Sequence, residues 1–148
     1  MPPDRKAIPP GSPDTPPPSP GLGGFARELW RERRLRTRYF AADLFAEPAW
    51  DMLLDLYASA AEGRKLGVRG ACRAACVPPT TALRYVNALV GRGYLVRRQD
   101  EGGYGVTVEL APAAWVEMTR LLAEMRCRRD GRVRDGGAPG RDGPPPSG

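Results

Sequence analysis

The sequence predicts a mostly α-helical protein carrying one small β-hairpin, set between two Pro- and Gly-rich ends. Three observations carry this. Large apolar residues recur at helical spacing in several segments between residues 25 and 125. The period changes to strand-like alternation between residues 94 and 110 around a Gly-rich turn. Most of the 17 prolines fall before residue 25 or after residue 129. The two ends hold few large apolar side chains and cannot offset the entropy of ordering their backbone. The predicted organisation is therefore a disordered tail over residues 1–24, one domain over 25–129 and a second disordered tail over 130–148.

Taken in order, residues 25–45 read as a first helix. Phe25, Leu29, Phe40, Leu44 and Phe45 are its large apolar residues, and neither Pro nor Gly interrupts it. Pro48 opens a second helix, since proline in the first turn costs no hydrogen bond. Trp50, Leu53, Leu54 and Tyr57 form its apolar face, Asp51 and Asp55 lie opposite, and Gly63 ends it. Residues 65–68 are either a short strand or an extended connector. Residues 70–75 read as a short helix with Ala71, Cys72 and Ala75 on one face. Val77-Pro-Pro79 breaks it, and a fourth helix starts at Pro79 or Thr80 and runs to Val90. Tyr94–Arg98 and Tyr104–Leu110 form the hairpin, with Val106, Val108 and Leu110 on one face. Pro112 opens a last helix in which Trp115, Met118, Leu122 and Met125 make a seam suited to packing on another helix.

The net charge of +6 is unevenly spread. Residues 62–98 hold eight Lys or Arg against one acid, a net of +7. Residues 41–61 and 99–124 each carry a net of −4. Concentrated positive charge is the electrostatic footprint of a polyanion site, or simply a basic solvated surface.

A short helix, a tight turn, a second helix and a hairpin make the winged helix-turn-helix layout, in which the second helix enters the DNA major groove. Here that helix spans residues 79–90. Ala82, Val86 and Leu89 define its inward face. Thr80, Arg84 and Asn87 share the outward one, with Thr81 near the N-terminal end. These groups donate to or accept from base edges and phosphates. Arg84 suits guanine O6 and N7. Thr80 and Thr81 sit where helix amides favour a phosphate. Arg97 and Arg98, at the base of the wing, are candidates for phosphate contact, and strand alternation lets only one of the two face the DNA. The pattern does not place Leu83 or Tyr85.

Residues 77–98 resemble the recognition helix and first wing strand of the MarR family of bacterial transcription regulators, with Thr81, Arg84, Val86, Leu89, Gly93, Leu95 and Val96 at comparable positions. Residues 47–57 resemble the preceding helix in a MarR-like group of alphaproteobacterial proteins. The resemblance spans roughly residues 46–110. It implies a homodimer formed by additional N- and C-terminal helices, with each recognition helix in one half of a palindromic site on double-stranded DNA. Trp115, Met118, Leu122 and Met125 would then be half of that dimer interface, the alternative being that they close the chain's own core. The family wing carries an Asp followed by Arg. Here Asp100 is followed by Glu101-Gly-Gly-Tyr-Gly105 with no Arg, so the sequence leaves open whether the wing contacts the minor groove. Relatives often bind small aromatic effectors, which no residue pattern here requires. The remaining alternative for the whole chain is a winged helix used for protein contacts, as an adaptor or subunit.

Other function classes find little support. The chain has no histidine, which removes His-based catalysis and His metal ligation. Its three cysteines are too few for a closed zinc site with Cys127 so distant. Cys72 reads as a small buried hydrophobe, and Cys76, beside Arg73, as a candidate redox sensor or a plain turn residue. Neither an enzyme nor a metal or other cofactor is expected. No apolar run approaches a membrane span and no export core is present. With an odd cysteine count, this predicts a cytoplasmic protein. The basic run Arg126–Arg129 with Arg132 and Arg134 reads as a solvated terminus or extra DNA affinity, and the Pro-rich start as a linker or a polyproline ligand.

Overall fold

The computed structural model describes residues 21–100, 102, 103 and 105–135. Helix α1 spans Leu22–Arg36, α2 Pro48–Ala61, α3 Val68–Ala74, α4 Pro79–Gly91 and α5 Pro112–Asp135. Strand β1 is Leu66–Gly67, β2 Leu95–Gln99 and β3 Val106–Leu110. The strands form one antiparallel sheet in the order β1-β3-β2, so residues 65–68 do supply a strand. The chain is mostly helical with a small three-stranded sheet, an order of elements compatible with a winged helix. Among the described residues no helix is long and apolar enough to cross a membrane.

Helix α1 differs from expectation at both ends. It starts at Leu22, whose side chain is fully buried, so residues 22–24 belong to the domain and not to a tail. Gly23 allows this early start, because a Cβ there would overlap the Ala61 methyl of α2. The helix ends at Arg36, well short of residue 45. Successive amides of Thr37, Arg38 and Tyr39 bond to carbonyls three residues back, tightening the last turn. The Thr37 hydroxyl donates to the Arg34 carbonyl at 2.7 Å, a local bond that competes with helix propagation. Residues 37–41 then turn into a 3-10 helix, Ala42–Leu44. Phe40, Leu44 and Phe45 therefore lie off the helix and are exposed.

Helix α2 is the central element. Met52, Leu54, Leu56, Tyr57 and Ala58 are buried around it, whereas the expected face residues Trp50 and Leu53 are only half-buried. Asp51 and Asp55 are buried too, which corrects their expected outward placement. Arginines from α1 make that burial tolerable, since a buried carboxylate is costly unless paired and hydrogen-bonded. The Arg27 guanidinium donates to Asp55 Oδ1 at 2.6 Å, Ser59 Oγ at 3.1 Å and Glu62 Oε1 at 3.0 Å. Arg33 pairs with Asp51 and, at 2.6 Å, with Glu47.

Beyond α2 the predicted elements are present with shifted ends. Helix α3 starts at Val68, two residues earlier than expected, and buries Ala71 and Ala74, followed by buried Ala75. Leu95 and Leu110 are register partners in the core. Val108 is buried as expected, but Val106, paired with Gln99 at the turn end of the hairpin, is exposed.

Helix α5 runs to Asp135, so residues 130–135, including Arg132, are helical rather than tail. Its seam faces inward. Trp115 stacks on Tyr57 with ring centroids 4.3 Å apart, the Tyr57 hydroxyl meets Thr119 Oγ1 at 2.9 Å, Met118 is buried and Leu122 has no exposed surface. This corrects the dimer-interface expectation. Trp115, Met118 and Leu122 close the chain's own core, and Met125 packs half-buried at its margin. The tails expected over residues 1–20 and 136–148 lie outside the described residues.

Two predictions follow from the α1–α2 contact. Gly23→Ala should destabilise the protein by about 1–3 kcal/mol, the usual range for overpacking. Gly24→Ala, where a Cβ meets nothing within 4 Å, should be neutral or stabilising by up to about 1 kcal/mol; urea midpoints compare the two. Hydrogen bonds from Arg27 and Arg64 hold the Glu62 carboxyl below its ordinary value of 4.5. A carboxyl lowered by folding contributes stability above its unfolded pKa and loses it as pH falls through the folded one. Stability should decline on acidification from about pH 5, and Glu62→Gln should flatten part of that decline in melts across the range.

Candidate nucleic-acid interface

Helix α4 divides cleanly. Ala82, Val86 and Leu89 are buried, while Thr80, Leu83, Arg84, Asn87 and Ala88 are exposed and Thr81 is intermediate. Pro79 occupies the first helical position and no side chain caps the helix. The Ala82 amide donates to the Pro78 carbonyl at 2.9 Å, the first i→i−4 bond of the helix. The Thr80 and Thr81 amides precede it in the turn where helix N–H groups lack intrahelical partners. No acid lies in that first turn, so the partial positive charge of the helix end is not cancelled locally.

Strand β2 sorts the two arginines that the sequence left undecided. Arg97 follows Leu95 on the strand face turned toward the helices, and its guanidinium bonds to Asn87 Oδ1 on α4. Thr80, Arg84, Asn87 and Arg97 thus lie along one exposed surface, with Asn87 keeping its amide N–H groups available. Arg98 points to the other face of the sheet. Its Nε donates to Glu109 Oε2 at 2.9 Å and the side chain is partly buried. Of the six candidate DNA-binding residues, Arg98 alone is drawn away from the rest.

The turn between α3 and α4 carries features the sequence did not reveal. Cys76 adopts a positive φ of 52°, a conformation uncommon outside glycine and asparagine. Arg34, from the last turn of α1, reaches across to it. Its Nη1 donates to the Arg73 carbonyl at 3.1 Å and lies 2.9 Å from Cys76 Sγ. Trp30 stands beneath, with the guanidinium carbons of Arg27 and Arg34 at 5.2 and 4.8 Å from its ring centroid. The Arg34 contact spans 39 residues, which explains why no local pattern announced it. Burial pushes the Cys72 thiol above its ordinary value, consistent with a packing role for that residue.

Next to the exposed face of α4 lies an open groove. Val68, Val77 and Leu83 supply its apolar floor, and Arg69 and Arg73 stand at its edge. In the turn between β2 and β3, the Asp100 amide bonds to the Gly105 carbonyl and the Gly103 amide to the Asp100 carbonyl, both at 2.8 Å, with Gly103 at φ 71°. This makes the turn short. Glu101 and Tyr104 lie outside the described residues.

Between Arg64 and Gln99 the sequence has no acid, so the polar groups that these elements place on the surface are cations, amides and hydroxyls, with Leu83 and Tyr85 exposed beside them. Such a set suits a polyanion with planar hydrogen-bonding edges. Comparison of the chain with family models, curated proteins and solved structures gives no match.

Proposed function

We propose that this chain is a sequence-specific double-stranded-DNA-binding transcription regulator, a winged helix-turn-helix protein of MarR type that acts as a homodimer in the cytoplasm. The observation that carries the reading is the exposed face of α4, where Thr80, Arg84 and Asn87 stand with Arg97 bonded to Asn87, within a stretch of sequence, residues 64–99, that holds no acid. On this reading α4 lies in the major groove. Arg84 takes a guanine through its fork and Asn87 turns its N–H groups to a neighbouring base edge. The Thr80 and Thr81 amides and Arg97 bind phosphates. Arg98 contributes to the sheet through Glu109 and not to DNA.

A protein-contact role is the second reading, favoured by the exposed Leu83 and Tyr85 and the apolar floor of the adjoining groove. Titration against bulk DNA at several salt concentrations separates the two. Release of counterions from about 4–8 phosphates per dimer gives a log–log slope of roughly −4 to −7, whereas a flat and weak response overturns the DNA reading.

Within that titration, Arg97→Ala should lower the slope by about 1 and Arg98→Met should leave it unchanged. On a selected cognate site, Arg84→Ala should cost about 1–3 kcal/mol and relax preference at one base. Equal loss on every sequence would make Arg84 a phosphate contact instead.

A further inference from the structure

Trp115, Met118 and Leu122 of the α5 seam are buried in the chain's own core and are not open to a second copy. The described residues expose one segment rich in large apolar side chains. Leu35 is 48% exposed, Tyr39 76%, Phe40 61%, Leu44 74% and Phe45 45%. Taking roughly 200 Å² per side chain, the order of area an aromatic residue buries, the exposed fractions of these five sum to roughly 600 Å² of largely apolar surface along residues 35–45.

The segment is not loose. Its turn is held by the backbone bonds from Thr37, Arg38, Tyr39 and Phe40, its 3-10 helix by those of Leu44 and Phe45, and the Phe40 and Phe45 rings pack 5.5 Å apart. A folded backbone that turns its aromatic side chains outward is preorganised for a partner.

We infer that residues 35–45 form the surface on which a second copy of this chain docks about a two-fold axis. The inference rests on the homodimer of the reading above, but it is tested without DNA and so stands or falls separately. Three observations select a second copy. The first is size, since a standard interface buries about 800 Å² per partner and roughly 600 Å² of apolar surface supplies most of that. The second is charge. Arg36 and Arg38 precede the aromatic cluster and Asp43 lies within it, and none of the three enters an ion pair among the described residues. A two-fold contact brings one copy's arginines to the other's aspartate, because an isologous interface meets itself in reverse. The third is the composition of the flanking stretches. Apart from prolines, residues 1–20 offer only Met1 and Ile8 as large apolar side chains and residues 136–148 offer none, so neither stretch matches the patch in apolar side chains as a second copy does.

Sedimentation of the full chain without DNA tests this. The expected species has twice the 16.1 kDa chain mass. The double variant Phe40→Asp, Leu44→Asp should raise the dimer Kd by at least about 30-fold, the effect of losing a central anchor. Thermal unfolding of the dissociated chain should be unmoved, because both side chains are exposed. Arg38→Glu and Asp43→Arg should each weaken the dimer, and their combination should restore it. A wild-type chain that stays monomeric at tens of micromolar, where standard-size interfaces are formed, overturns the proposal. So does a dimer indifferent to the Phe40 and Leu44 changes. A monomer that dimerises only after removal of residues 1–20 would assign the patch to the tail and overturn it as well.

Discussion

The burial of helix α2 is the constraint on which the rest of the molecule depends. A helix covered on nearly every side cannot leave its acids in water, and Asp51 and Asp55 are carried inside with it. Their charge is met by Arg33 and Arg27 of α1, which fixes α1 in both position and rotation. Removing either arginine would leave an uncompensated buried carboxylate, the costly way to break an ion pair. Once α1 is fixed, residue spacing does the rest. Arg27, Trp30 and Arg34 fall at i, i+3 and i+7, one face of a helix, so the helix that neutralises α2 also delivers Arg34 to the turn between α3 and α4. The α1–α2 pair is thereby tied to the turn that leads into the exposed α4 surface.

The same pairing changes how the charge distribution reads. Counted along the sequence, residues 41–61 are an acidic flank. In the fold three of their four acids, Glu47, Asp51 and Asp55, pair with two α1 arginines, Arg33 and Arg27, so part of the flank's negative charge is offset. The cations of the central stretch have fewer such partners. Arg64 is held by Glu62 and Arg98 by Glu109, whereas Arg69, Arg73 and Arg84 enter no ion pair among the described residues. The positive surface is therefore smaller than the count of eight suggests and more sharply centred on α3 and α4.

Where the sequence was legible, the information was local. Pro48 and Pro79 mark helix starts, Ala82, Val86 and Leu89 repeat at the helical period, and alternation identifies β2 and β3. The candidate face of α4 follows directly from that repeat. What escaped was set by distant partners. Nothing near Asp51 or Asp55 announces burial, since their arginines lie 18 and 28 residues away. The end of α1 carries no Pro or Gly, and it is the Thr37 hydroxyl and a tightening turn that stop it. The apolar repeat of α5 is the same whether its seam meets another chain or Tyr57 of its own, so periodicity alone could not choose. Alternation correctly separated Arg97 from Arg98 but not which of them faces α4; Asn87 decides that through its bond to Arg97.

These contacts also bear on how assembly and recognition can be joined. Residue 35, the first of the exposed apolar segment, is the immediate neighbour of Arg34, which holds the α3–α4 turn. A partner seated on residues 35–45 would load the end of α1 at the point where that helix touches the turn, with one peptide unit between the two contacts. Rotation of α1 is resisted by Arg27 and Arg33 on α2, so such a load would be passed to the Arg34 contact rather than absorbed by the helix. In a two-fold dimer that reads two half-sites, the separation of the recognition helices is a geometric requirement of one DNA turn, about 34–36 Å, or a multiple of it. A short rigid path from the interface to the turn is the arrangement that holds such a separation fixed, whereas an interface through the far end of α5 would have to act across the whole core.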